Sequence, residues 1–168
     1  DFIKNDKLRC YYCKKNLFSR ISEYADKKGF KYVIDGSNFD DSQSKFRPGR
    51  KAAAELEIHS PLEEAGMTKS DIREISRGLG LSTWDKPAYA CLLSRLPFHT
   101  QISQELLDRI EQAERLVREA GFPAARVRTH QDIARIEVPG HQLGAFLEAS
   151  QNQNLLTRLK ELGYLAVR

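Results

Sequence analysis

SQELLDRIEQAERLVREAGFPAARVRTHQDIARIEVP, residues 103–139, changes its hydrophobic period halfway along. In the first half Leu106, Leu107, Ile110, Ala113 and Val117 recur at the spacing of one helix face, and Gly121 supplies a stop. This predicts an amphipathic helix from about 103 to 120. In the second half ARVRTH (125–130) and IARIEVP (133–139) alternate polar and apolar residues across a short polar turn, which predicts a hairpin. Helical stretches near 141–149 and 152–162 follow, and YLAVR closes the chain as a short strand. Helix, two strands, helix, strand is the order of a small α+β domain, placed at 101–168.

Upstream the pattern differs. Leu17, Phe18, Ile21, Tyr24 and Ala25 form an apolar stripe at helical spacing after Cys10-x-x-Cys13, and Gly29 ends it. KYVID (31–35) reads as a short buried strand ending in aspartate, and GSNFDDSQSKFRPG (36–49) as a long polar loop. RKAAAELEI (50–58) is a good helix former, and Thr68 with Asp71 makes a capping signature for a helix over 69–79. Residues 81–103, punctuated by Pro87 and Pro97, read as an ordered loop or short helix. Helix–strand–helix order predicts an α/β domain over 1–100. No internal repeat stands out.

The 168 residues are about two-fifths apolar, enough for a real core. They contain no apolar run of membrane-spanning length and no signal-peptide h-region at the start, so a soluble cytoplasmic protein is expected. Met67 is the only methionine, so Asp1 reads as the start of a processed or truncated piece. Of the 27 Lys/Arg and 23 Asp/Glu, residues 1–100 hold 18 and 14, leaving nine of each in 101–168. Such a balance suits a compact phosphate or nucleotide better than a nucleic-acid duplex.

Three cysteines cannot all pair, and Cys10-x-x-Cys13 in a reducing compartment points to metal or thiol chemistry, or to small core fillers. The pair sits where a helix N-terminus would stabilise thiolates. Zinc lacks two more ligands at finger spacing, so with Cys91 the metal alternative is a three-cysteine iron–sulfur site. Asp35, Gly36, Ser37, Asn38, Asp40 and Asp41 can read a nucleotide or hold Mg²⁺ through water, or simply make a surface loop. Lys45, Arg47, Arg50 and Lys51 are cations that a phosphate could meet. Arg126 and Arg128, two apart on a strand, share one face, as a clamp for an anion or as a solvated surface. Cys91, close to Ser94 and Arg95, is a candidate nucleophile or sulfur donor.

RCYYCKKNLF, DGSNFDD, RPGRKAAAEL, SPLEEAGMTKSDIREISRGLGLSTWDKPAYACLLSR and RVRTH together resemble the LarE family of ATP-dependent sacrificial sulfur transferases. That family belongs to the PP-loop ATP pyrophosphatases, along with the GMP synthetase and NAD synthetase amidotransfer domains, which residues 61–81 also resemble. The resemblance implies an adenine nucleotide alpha hydrolase-like domain over 1–100 and a small substrate and sulfur-transfer domain over 101–168. It implies ATP/AMP and Mg²⁺ at Asp35, Gly36, Ser37, Asn38 and Asp41. The substrate that the resemblance implies is a pyridine-dicarboxylate mononucleotide, whose carboxylate the family adenylates and converts to a thiocarboxylate for a nickel-pincer cofactor. Cys91 matches the cysteine that gives up sulfur, becoming dehydroalanine in sacrificial members. Members with a C-x-x-C and a distant cysteine hold a [4Fe–4S] cluster instead, which here means Cys10, Cys13 and Cys91. Ser94, Arg95, Arg126 and Arg128, with Glu114 near them, match the groups that hold the substrate's phosphate and carboxylates. The resemblance also implies a homo-oligomer and places the phosphate-cradling S-G-G-x-D-S loop upstream of Asp1. The competing readings are a tRNA-thiolating or amidotransferase-type PP-loop enzyme, disfavoured by the neutral C-terminal region, and a non-catalytic nucleotide- or metal-binding module.

Overall fold

The computed structural model describes residues 2–44, 47–87, 90–152 and 154–168. It divides into two units, 1–86 and 87–168. Segment 87–100, grouped with the first region on sequence grounds, belongs to the second unit, where its Arg95 is buried against Glu114. The protein is a mixture of helices and one small sheet.

In the first unit a 3-10 turn (Phe2–Lys4) leads into α1 (Arg9–Lys28), followed by α2 (Phe39–Ser42), α3 (Pro48–Glu55), α4 (Pro61–Glu64) and α5 (Lys69–Gly78). The long helix begins before the cysteine pair rather than after it. Nothing in RCYYCKK breaks a helix, and the Asp6 carboxylate accepts the Leu8 N–H just ahead of the first turn (2.7 Å). Gly29, in the left-handed region at φ 73, ends α1, as expected.

The principal packing is α1 on α3, around Phe18, Ala53 and Ile58 with Val33 and Leu56 beside them. Gly49 permits the approach, because a Cβ there would lie 2.8 Å from Cδ of Lys14. Only part of the predicted α1 stripe is buried. Phe18 and Ala25, seven residues apart, face inward, whereas Leu17, Ile21 and Tyr24 are exposed. Each exposed residue is rotated away from the buried face by the helix's turn of about 100° per residue, so one strip of α1 is covered and the neighbouring strip is open.

KYVID does not form the buried strand expected of it. Ile34 makes one isolated parallel bridge to His59, and Tyr32 and Ile34 are 60% and 65% exposed. Among the described residues the segment pairs on one side only, through Asp35 N–H to the His59 carbonyl (2.9 Å) and His59 N–H to the Val33 carbonyl (3.0 Å). By contrast α5 starts where expected, with Thr68 and Asp71 forming a reciprocal capping box.

The second unit follows the sequence reading closely. A 3-10 turn (Leu92–Arg95) precedes α6 (Gln104–Glu119), β1 (Arg126–His130), β2 (Ile133–Glu137), α7 (Leu143–Asn152), α8 (Leu155–Glu161) and β3 (Ala166–Val167). β2 lies between the other strands, antiparallel to β1 and parallel to β3. Ser103 caps α6 by accepting the Leu106 N–H, and Ile110, Ala113, Glu114 and Val117 make its buried face. Val127 and Thr129 of β1 and Ala134 of β2 turn toward this core, which Phe122, Phe146, Leu155, Leu159 and Tyr164 complete.

Phe122 and Phe146 meet edge to face at 5.1 Å, a pairing worth about 0.5–1.5 kcal/mol beyond area burial. The buried Tyr164 hydroxyl pairs with Thr129 Oγ1 (2.7 Å), and burial pushes its ionisation upward. Arg109 stacks on the Tyr164 ring and donates to the Gln131 carbonyl, tying the hairpin turn to the approach of β3. Packing sends Arg126, Arg128 and His130 to the opposite face of the sheet, and the register brings Glu137 opposite Arg126 and Arg135 opposite Arg128.

Candidate functional site

Cys91 stands at the head of the 3-10 turn Leu92–Arg95, where its carbonyl accepts the Ser94 N–H (2.8 Å). Leu93, Arg95 and Leu96 point inward and are 7%, 3% and 5% exposed, so the turn is pinned from inside while the Cys91 thiol stays outside. This is what a short apolar-anchored turn can do for a nucleophile: fix its backbone without burying its sulfur.

Arg95 and Glu114 are a buried ion pair. Arg95 Nε donates to Glu114 Oε1 and Nη2 to Oε2, while Nη1 donates to Ser94 Oγ (2.8 Å). Glu114 also accepts the Val127 N–H of the sheet edge (3.1 Å), and Arg118 lies 3.6 Å away. Three elements therefore meet on one carboxylate. All three Arg95 nitrogens are occupied inside the unit, which makes it the anchor of the turn in this arrangement.

Arg126 and Arg128 share a strand face, as their spacing requires, but their situations differ. Arg128 Nε donates to Glu137 Oε1 (2.7 Å) and its Nη1 to the Ser94 carbonyl (2.9 Å), linking the sheet to the cysteine turn. The Arg126 guanidinium has no hydrogen-bond or ion-pair partner among the described residues. Arg135 Nη2 shares the same Glu137 oxygen (2.8 Å). Partial burial would raise the Glu137 ionisation, but the two guanidiniums outweigh it and hold the carboxyl below its usual range. Cys91, Ser94, Arg95, Glu114 and Arg128 are thus joined through one hydrogen-bonded network, with Arg126 beside Arg128 on the same strand face. Sequence reading missed Glu137 and Arg135; the only available signal was their alternation with Ala134 and Ile136.

The nucleotide candidates lie in the first unit. Asp35 accepts the Ser37 N–H (3.0 Å), the Ser37 hydroxyl and the Ser60 hydroxyl (both 2.8 Å), and Lys14 stands 3.5 Å away. Asn38 and Asp41 form the capping box of α2, Asp41 pairs with Arg47, and Asp40 caps α5 through the Lys69 N–H (2.7 Å). Among the downstream cations, Arg50 is bidentate to Glu63 and Lys51 lies over the Tyr11 ring. Lys45 lies outside the described residues. Beside the loop is a pocket of about 210 Å³ lined by Lys14, Ser37, Arg50, Ser60, Glu63 and Glu64. It has room for a phosphate-sized group and falls short of the roughly 300 Å³ at which small-molecule sites begin. Lys14 and Ser60 were not singled out from sequence, although each stands in a stretch that carries the resemblance, because nothing in the spacing shows that they meet Asp35.

Burial raises the Asp35 ionisation, and the Ser37 amide, the two hydroxyls and Lys14 together outweigh it, so its carboxyl sits below the ordinary 3.8. A depressed carboxylate stabilises the fold above its unfolded value, and that contribution is lost as pH falls through the folded value. Asp35→Asn is therefore expected to lower stability at neutral pH, with the gap to the parent closing below about pH 4. Urea midpoints measured from pH 2 to 7 check this, and a gap independent of pH contradicts it.

Cys10 and Cys13 are exposed, one turn apart near the start of α1. Within neither unit do three His, Cys, Asp or Glu side chains gather as a metal-holding group among the described residues. Cys10 and Cys13 lie in the first unit and Cys91 in the second. No helix is long and apolar enough to cross a membrane among the described residues.

No family model matches the chain. It is 38% identical over 165 residues to the pyridinium-3,5-bisthiocarboxylic acid mononucleotide synthase of Lactiplantibacillus plantarum, covering 98% of this chain and 59% of that protein. It is 40% identical over 167 residues to an uncharacterized protein of Synechocystis, covering 99% and 62%. An uncharacterized protein of Methanocaldococcus jannaschii is 34% identical over 165 residues, covering 98% and 63%. The chain spans about three fifths of the length of these curated relatives.

Proposed function

We propose that this chain is part of a LarE-like sulfur-inserting synthase, a PP-loop ATP pyrophosphatase that converts a carboxylate of a pyridine mononucleotide into a thiocarboxylate. The observation that carries the reading is the placement of Cys91: an exposed thiol on a turn anchored by Arg95–Glu114 and hydrogen-bonded to Arg128. Similarity over nearly the whole chain to a synthase named for a bisthiocarboxylic acid mononucleotide supports it.

In this reading ATP adenylates the substrate carboxylate and releases pyrophosphate. The Cys91 thiolate attacks the acyl carbon and displaces AMP, giving a thioester. Loss of the Cys91 Cα proton with cleavage of its C–S bond then leaves a thiocarboxylate on the substrate and dehydroalanine on the protein. Arg126 and Arg128 hold the anionic substrate beside the thiol, and Arg95 with Glu114 keeps the turn in place. In the first unit Lys14 and Ser37 meet a nucleotide phosphate in the pocket beside Asp35, and Mg²⁺ would accompany the nucleotide.

Intact-mass measurement of the full-length protein after a single turnover tests the reading. Residue 91 is expected to be lighter by one H₂S, with one sulfur gained by substrate. An unchanged mass at residue 91 alongside sulfurated product overturns it and returns the sulfur to another donor.

A further inference from the structure

The outer face of the sheet holds Arg135 and Glu137 beside Arg126 and Arg128. Arg128 and Arg135 are direct cross-strand partners, and Glu137 Oε1 accepts from both, at 2.7 and 2.8 Å. The same carboxylate stands opposite Arg126 in the register. Two guanidiniums therefore share one carboxylate, and with Arg126 on the same face the strands carry a net two positive charges there. Like charges so close repel, and a single carboxylate offsets only one of them. The arrangement has an unmet demand for a dianion.

We propose that Arg135 is a third ligand of the anion site formed with Arg126 and Arg128, that Glu137 positions Arg128 and Arg135 for it, and that the ligand is a phosphomonoester dianion. The proposal rests on the reading above, in which this face holds a mononucleotide substrate, and assigns the substrate's phosphate to it. Glu137 binds Arg128 at Nε and Arg135 at one terminal nitrogen, leaving N–H groups of both guanidiniums for phosphate oxygens. A planar fork held from one side presents its remaining donors in fixed directions, which suits a tetrahedral oxyanion. Arg168 provides an internal comparison. Its N–H donates to the Ala134 carbonyl and its carbonyl accepts the Ile136 N–H, so it lies beside Arg135 directly after β3, with no side-chain carboxylate holding its guanidinium among the described residues.

Titration of the full chain with ribose 5-phosphate, followed by phosphorus NMR, tests the assignment. Arg135→Ala is expected to weaken binding about tenfold, the loss of charge-assisted hydrogen bonds. Arg168→Ala removes the same charge from the adjacent position and is expected to weaken it no more than about twofold, as screened long-range attraction does. Glu137→Gln adds one positive charge yet is expected to weaken binding, because the alignment of Arg128 and Arg135 is lost. Tighter binding by Glu137→Gln, or equal losses in Arg135→Ala and Arg168→Ala, overturns the proposal in favour of simple electrostatics. Losses in Arg126→Ala and Arg128→Ala with none in Arg135→Ala sink this inference and leave the two-arginine clamp standing. Binding indifferent to all four arginines sinks both.

Discussion

Glu114→Ala is expected to destabilise the second unit by about 3–5 kcal/mol, because it leaves the Arg95 guanidinium buried without its counter-charge. Both side chains are only 3% exposed, so water cannot replace the lost partner without opening the structure. The same truncation frees the Val127 N–H at the sheet edge and removes the nearby anion from Arg118. A domain of this size has roughly 5–15 kcal/mol of stability in all, so the variant stands close to unfolding. Urea denaturation followed by far-ultraviolet circular dichroism measures the effect, and a loss under about 1 kcal/mol would mean the pair is hydrated. Replacing both partners together, as Arg95→Met with Glu114→Leu, is expected to cost far less than Glu114→Ala alone, since no uncompensated charge remains. That double variant should fold yet lose the anchor from Arg95 Nη1 to Ser94 Oγ.

Cys91→Ala is expected to abolish sulfur transfer by the full-length protein while leaving its fold and its consumption of nucleotide intact. The thiol is exposed, so removing it creates no cavity, and the turn is held by Leu93, Arg95 and Leu96 rather than by the sulfur. Only the acceptor of the activated acyl group disappears. Pyrophosphate release without thiocarboxylate formation is the signature, measured in one assay with both products followed. Cys10→Ala and Cys13→Ala are expected to retain single-turnover transfer. Loss of transfer in those variants, together with iron retained by the parent protein after anaerobic reconstitution, would assign the sulfur to a cluster and not to Cys91.

Much of this molecule was legible in its residues because local physics decides it. The capping pair Thr68–Asp71, the stops at Gly29 and Gly121, and the spacing of Ile110, Ala113 and Val117 act within a few residues of one another. The alternation in RVRTH and IARIE likewise dictates which side chains share a sheet face, so Arg126 and Arg128 were bound to be neighbours there.

Tertiary structure decided what those residues touch. KYVID has strand composition, yet among the described residues it makes a single bridge, to His59, and Leu17 and Tyr24 are exposed because they lie on a different face of α1 from Phe18 and Ala25. Asp41, a sequence candidate for nucleotide binding, is engaged in a helix cap and with Arg47, since a carboxylate takes whichever donors the fold brings within reach. The burial of Arg95 against Glu114, nineteen residues away, and the sharing of Glu137 by Arg128 and Arg135 depend on cross-element distances that no spacing along the chain encodes. Residue types announced the available charges, and packing alone chose which were neutralised and which were left facing outward.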